Sequence, residues 1–142
     1  MRPSRKMIEG EIERQRTIVA DGRRGLKNNS LLYALRLNGD RYYIGRTNDA
    51  IVRIKQHMDG KGAQWTKLYA PVALIECKPC KAANPQEADQ METLWTLEYM
   101  VRFGWRNVRG GYFCHVDELL TEQALRAHCV FESLQNAQPR MR

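Results

Sequence analysis

Five residues carry the side chains that proton transfer and charge neutralisation use: Tyr33, Tyr43, Arg53, His57 and Glu92. The tyrosines lie in LLYALRLNGDRYYIGRT, residues 31–47, where two apolar and aromatic runs flank Asn38-Gly39-Asp40. That pattern predicts a β-hairpin. With a three-residue loop, Leu37 faces Arg41, Tyr33 lies opposite Gly45, and both tyrosines share one face. With a two-residue loop, which Asn38-Gly39 also suits, they fall on opposite faces. Glycine inside a strand weakens it and marks a close approach. In the three-residue register Gly45 leaves a hole beside the Tyr33 ring, large enough for a backbone phosphate.

Arg53 and His57 stand at i and i+4 in DAIVRIKQHM, so they share one helix face. Thr47, Asn48 or Asp49 can cap that helix, Gly60 can end it, and Ile51, Ile54 and Met58 can supply its buried side. Glu92 lies near the start of the clearest helix, residues 87–104, which is acidic first and basic last, as the helix dipole prefers. Thr96 and Tyr99 continue the Glu92 stripe, whereas Leu94, Leu97 and Val101 can face the core. Each group also has an ordinary reading: Arg53 and His57 on a solvated polar face, Glu92 as an acid that helps its own helix.

The elements that must position these residues follow in order. Residues 7–22 read as a mixed-charge helix and 23–30 as a basic linker. After the hairpin and its helix, GKGAQWTKLYAP (60–71) reads as a loop, VALIEC (72–77) as a strand, and 78–86 as another loop. WRNVRGGYFCH reads as a loop and residues 116–134 as one amphipathic helix before a frayed end. The expectation is an α/β (α+β) domain with a small, three-stranded, largely antiparallel sheet flanked by helices. Its parts are a basic helical extension and linker (1–30), a catalytic unit (31–115), and a C-terminal helix and tail (116–142).

The chain has 142 residues, 43% of them hydrophobic, enough for one domain with its own core. No run of 18 apolar residues suggests a membrane span, and the start lacks a secretory pattern. The expected location is therefore the cytoplasm, where cysteines stay reduced. Net charge is +7. Residues 1–30 hold eight Lys/Arg against four Asp/Glu, and residues 31–115 hold twelve against eight. A polyanion is the natural partner, nucleic acid above all.

The hairpin and the two helices together resemble the GIY-YIG nuclease superfamily. Leu31-Leu32-Tyr33 stand where the family has Gly-Ile-Tyr, and Tyr43-Ile44-Gly45 matches the second signature. Arg53 follows Tyr43 at the family spacing, His57 stands where many members have His or Tyr, and Glu92 matches the metal-binding glutamate. Asn107 in WRNVRGG matches the asparagine that closes the motif set, and GKGAQWT is similar to the G-x-GA-x-WT loop of members that cut branched DNA. The resemblance spans residues 31–111. The first signature lacks its glycine and isoleucine but keeps the tyrosine.

The resemblance implies a DNA endonuclease that uses one divalent metal, Mg²⁺ or Mn²⁺, held by Glu92. A single carboxylate suits Mg²⁺, which keeps waters and takes few protein ligands. Arg53 would sit on the reacting phosphate. Tyr33 would activate the water, with His57 able to take its proton, and Tyr43 would position the water, although the two tyrosines can exchange roles. A tyrosine is a poor base at its usual pKa of roughly 10, so Arg46, Arg53 and the metal are candidates for favouring the phenolate. The Asn107 amide can bond to Glu92 or to loop backbone. Arg46, Lys61, Trp65, Arg102, Arg106 and Arg109 are candidate nucleic-acid contacts, with Trp65 open to the alternative of packing its loop. DNA is the expected partner, with a homodimer if both strands are cut. The rival reading is a non-catalytic nucleic-acid-binding module on the same fold. Cys77 and Cys80 form a Cys-x-x-Cys pair that Cys114-His115 and His128-Cys129 could complete as a zinc site, but Cys77 falls at a strand end and the second half lacks knuckle spacing, so the cysteines read as buried or free thiols.

Overall fold

The computed structural model describes residues 30–137. The expected helix over 7–22, most of the basic linker and the last five residues lie outside that range. The hairpin forms with the three-residue turn: β1 (Leu31–Leu37) pairs antiparallel with β2 (Arg41–Thr47), with Leu37 facing Arg41 and Tyr33 facing Gly45. Gly39 and Asp40 both adopt positive φ in the turn. Asp tolerates that region because its short side chain bonds locally.

β3 (Pro71–Pro79) pairs antiparallel with the other edge of β1. The expected three strands become four. β4 (Val108–Gly110) pairs parallel with β2, giving the order β3-β1-β2-β4. A strand of three residues is too short to show an alternation, so WRNVRGGYFCH reads as a loop until its partner is known.

α1 (Ala50–Met58) starts at Asp49, whose carboxylate accepts the Val52 N–H at 3.2 Å. A short α2 (Gln64–Leu68) interrupts the expected loop after it. α3 (Pro85–Phe103) is capped by Asn84 and ends at Gly104, where φ is 91°. The expected single C-terminal helix is two, α4 (Glu118–Ala127) and α5 (Phe131–Asn136). Cys129 separates them at φ 60°. No glycine or proline in the sequence announces that break.

The sheet divides two cores. One face carries Tyr33, Leu35, Leu37 and Tyr43 beneath α1 and α2, with Ile54 and Trp65 packed on them. The other carries Leu32, Ala34, Tyr42 and Ile44 beneath α3, with Trp95, Tyr99, Met100 and the α4–α5 residues Leu125 and Phe131. β1 is thus buried on both faces, which explains its nearly continuous apolar run. Each large side chain buried here contributes roughly 1.5–3 kcal/mol relative to exposure.

The buried side of α3 differs from expectation. Thr96 and Tyr99, on the Glu92 stripe, are buried, whereas Leu94 and Val101 are 61% and 46% exposed. The polar groups are satisfied where they lie. The Thr96 hydroxyl donates to the Glu92 carbonyl at 2.8 Å, and the Tyr99 hydroxyl donates to Glu76 at 2.5 Å. A hydrogen-bonded Thr or Tyr is cheap to bury, so a stripe of leucines and valine does not by itself mark the inner face. Among the described residues, no helix is long and apolar enough to cross a membrane.

Candidate functional site

Tyr33 and Tyr43 project from the same face of the hairpin, their ring centroids 6.3 Å apart. The space left by Gly45 is taken by the Tyr33 phenol itself: a β-carbon at position 45 would collide with Cζ and the hydroxyl. The expected opening for a phosphate at that point is therefore closed. Gly45 is needed because the phenol must cross the neighbouring strand to reach α1.

There it meets His57, whose Nε2 lies 2.7 Å from the Tyr33 hydroxyl. The histidine is buried, at 1% exposure. GKGAQWT builds the wall behind it. Gly62 packs where a β-carbon would strike the imidazole ring, and the Thr66 hydroxyl lies 2.8 Å from Nδ1. Thr66 donates its own hydrogen to the Ala63 carbonyl at 2.9 Å. Nδ1 then donates to Thr66, and Nε2 accepts from Tyr33. The Ala63 N–H approaches Nδ1 at 3.4 Å and favours the opposite tautomer, but that longer contact is the weaker.

Burial, then the positive charge of Arg53, holds His57 at about 3. The imidazole is accordingly neutral near pH 7. Burial pushes the Tyr33 hydroxyl far above the ordinary tyrosine value, and Tyr43 above it as well. The positive charge of Arg53 opposes both shifts, while its guanidinium donates to Gln56 Oε1 at 3.0 Å. A weakly basic imidazole facing so weak an acid disfavours a stepwise transfer of the Tyr33 proton to His57 in the protein alone. What His57 does is engage the Tyr33 hydrogen, leaving the phenol lone pairs to accept.

Glu92 comes from α3, beneath the opposite face of the sheet. Its Oε2 accepts the Gly111 N–H at 3.1 Å, and its Oε1 lies 3.5 Å from Arg46 Nε. Burial raises its pKa, with the Gly111 N–H and Arg46 pulling the other way. Its charge also raises the pKa of both tyrosines, so the carboxylate lies within electrostatic reach of the phenols. Only 16% of the Glu92 side chain is exposed, and its two oxygens keep acceptor capacity beyond these two partners. Such a donor fits one hard divalent cation. Among the described residues, no group of three or more His, Cys, Asp or Glu gathers to bind a metal.

Gly111 and the Thr93 hydroxyl, which accepts the Tyr112 N–H at 3.2 Å, were not anticipated. A β-carbon on Gly111, at φ 53°, would meet Thr93. The Gly110-Gly111 pair was the available signal for this close approach.

The remaining candidates separate. The Asn107 amide donates to the Phe103 carbonyl at 2.9 Å, so it takes the loop-backbone option and closes the end of α3. Arg46 pairs with Asp89 at 2.6 Å; the cation that lowers the pKa of both phenols is Arg53. Trp65 and Arg109, expected at a nucleic-acid surface, are buried at 3% and 1% exposure. Trp65 donates to the Tyr42 carbonyl at 3.0 Å. Arg109 donates to the carbonyls of His115, Trp105 and Val108 at 2.6–2.9 Å, and its guanidinium lies over the Trp65 ring at 4.3 Å. With three of its five N–H donors engaged, a π-face beneath it and 1% exposure, the buried cation is held by the fold and is not presented to a phosphate. Lys61 is exposed on the loop that covers His57. Arg102 and Arg106 lie on the α3 side, paired with Glu76 at 3.9 Å and Glu118 at 3.0 Å. Cys77 and Cys80 are buried, Cys114 and Cys129 exposed.

The GIY-YIG catalytic domain family matches residues 29–100. That range is half of the chain and holds the hairpin, both helices and the five central residues. The chain belongs to the GIY-YIG family. Curated relatives agree. It is similar to UPF0213 protein YazA of Bacillus subtilis, 46% identical over 48 residues, covering 34% of this chain and 48% of the relative. UPF0213 protein RBAM_000440 of Bacillus velezensis is 38% identical over 65 residues, covering 46% and 64%. A UPF0213 protein of Streptococcus sanguinis is 37% identical over 60 residues, covering 41% and 69%. The chain thus spans about half the length of the first of these GIY-YIG relatives and under two thirds of the second. No solved structure gave a significant match.

Proposed function

We propose that this GIY-YIG protein is a metal-dependent DNA endonuclease. What supports the reading is the family match over residues 29–100 together with the contact of Tyr33 and Tyr43 with each other and with His57 on one face of the sheet. Phosphodiester hydrolysis needs a positioned water, positive charge on the phosphate and help for the leaving oxygen. Arg53 supplies a fixed guanidinium whose planar fork suits phosphate oxygens. Glu92 would hold one Mg²⁺ or Mn²⁺, which would supply stabilisation of negative charge on the phosphate and leaving group. Tyr43, 8% exposed, orients the water.

Tyr33 accepts a proton from that water while its own hydrogen moves to His57 Nε2. This concerted shift avoids a free phenolate. Its end state is an imidazolium, which burial and Arg53 disfavour; the negative phosphate brought by DNA lowers that penalty. Arg46 and Lys61, with the basic N-terminal residues, add backbone contacts. The site can serve a monomer that nicks, or a homodimer that cuts both strands. A cytoplasmic location belongs to the same reading.

Incubation of the purified protein with supercoiled plasmid tests the reading. Mg²⁺ or Mn²⁺ should yield nicked circles and a chelator should stop the reaction. DNA binding without any cleavage, under either metal and on duplex, flapped or four-way substrates, would instead identify a binding module.

A further inference from the structure

Arg46 holds two carboxylates of α3 at once, through different nitrogens. Nη2 bonds Asp89 Oδ1 at 2.6 Å, and Nε stands 3.5 Å from Glu92 Oε1. Asp89 and Glu92 are three residues apart on one helix, so they are neighbours on its surface. Asp89 raises the pKa of Glu92 and Arg46 opposes that effect. The contacts are unequal. The bond to Asp89 is short and charge-assisted, while the approach to Glu92 is longer than a hydrogen bond.

The other Glu92 oxygen is fixed by the Gly111 N–H. The oxygen facing Arg46 is therefore the one with freedom to accept a different cation. Space exists for the guanidinium to withdraw. A cavity of about 150 Å³ beside Arg46 is lined by Ser30, Ala83, Asn84, Pro85 and Ala88, all short side chains. Asp89 borders the same helix turn and can keep hold of the arginine as it moves.

We propose that Arg46 is an internal cation that a divalent metal displaces from Glu92, with Asp89 as the pivot that retains it. This deepens the nuclease reading and rests on its assignment of Glu92. Without metal, Arg46 offsets the repulsion between two nearby carboxylates and keeps Glu92 pointed at the site. With metal, the same positive charge would repel the incoming ion unless it swings aside. Arg46 is thus a positioning residue that sets the affinity of the site for its metal.

Mn²⁺ titration of the full chain without DNA, with free Mn²⁺ followed by electron paramagnetic resonance, tests this. Arg46→Gln should bind Mn²⁺ about fivefold more tightly, the order expected when a partly screened ion pair is removed. Asp89→Asn should weaken binding in the parent, because the guanidinium then rests wholly on Glu92. It should weaken binding less in an Arg46→Gln background, a non-additivity that simple charge repulsion does not produce. Unchanged or weaker Mn²⁺ binding by a folded Arg46→Gln protein, or equal effects of Asp89→Asn in both backgrounds, would overturn the proposal. Should Arg46→Gln fail to fold, Arg46→Lys keeps the charge but loses the two-nitrogen span. It should show a smaller rise in the same direction, and no rise overturns the idea. Glu92→Gln separates this inference from the reading beneath it. If the parent binds Mn²⁺ and Glu92→Gln abolishes that binding, the metal assignment stands whatever Arg46 does. If the parent shows no Glu92-dependent binding, both fall.

Discussion

The Tyr33 hydroxyl and His57 Nε2 lie 2.7 Å apart, and neither residue is more than 1% exposed. Burial of His57, with the positive charge of Arg53, makes stability depend on pH. His57 titrates at about 3 in the folded protein against 6.5 as a free side chain. Between those values the unfolded chain binds the extra proton, so stability rises with pH across this window and is lost as pH falls below 6.5. The limiting slope is roughly 1.4 kcal/mol per pH unit. Urea unfolding of the parent and of His57→Gln at pH 7, 6, 5 and 4 should give curves that converge towards low pH. Parallel curves would show that His57 carries no such linkage.

Gly45 faces Tyr33, and the phenol fills the space of the missing side chain. Gly45→Ala should lower stability by about 1–3 kcal/mol, the usual range for overpacking. In a Tyr33→Leu background, where the ring is gone, the same substitution should cost much less. Equal losses in the two backgrounds, measured by chemical denaturation, would remove the steric account.

Arg53 is half-buried, and its charge opposes the raised pKa of both phenols. Lysine at this position keeps the charge and loses the planar fork. Arg53→Lys should reduce plasmid cleavage by orders of magnitude while the melting temperature moves little. A near-normal rate would reduce Arg53 to an ordinary polar residue of α1.

Glu92 and Glu98 offer a paired comparison. They are six residues apart, about 240° around an ideal helix, and Glu98 is exposed beside a separate cleft lined by Lys78, Met91, Leu94 and Trp95. Glu92→Gln should abolish cleavage and leave DNA affinity equal or slightly higher, since one repulsion with phosphate is removed. Glu98→Gln should cut normally. Cleavage and binding assays run in parallel decide it, and an active Glu92→Gln protein would misplace the metal site.

The sequence by itself determined the hairpin and the helix carrying Arg53 and His57; it left the turn length and the cap open, and the folded chain chose the three-residue turn and Asp49. Those two elements follow from local rules: period-two alternation, turn-forming residues, capping side chains and i,i+4 spacing. They also carried the family likeness. The fourth strand, the break at Cys129 and the buried face of α3 were not legible, because each depends on partners distant in the chain. Trp65 and Arg109 show the same limit. A tryptophan among basic residues reads as a nucleic-acid surface, yet folding turns Arg109 inward onto three carbonyls and the Trp65 ring. Asp89, at the start of α3, reads as a residue that favours its own helix; the pairing of β2 with β1 and the packing of α3 beneath the sheet bring Arg46 to it. Residue type fixes which bonds a side chain can make. Only the folded chain decides which partner is near enough to make them, because burial removes the competing water and leaves the nearest group as the one that satisfies the charge.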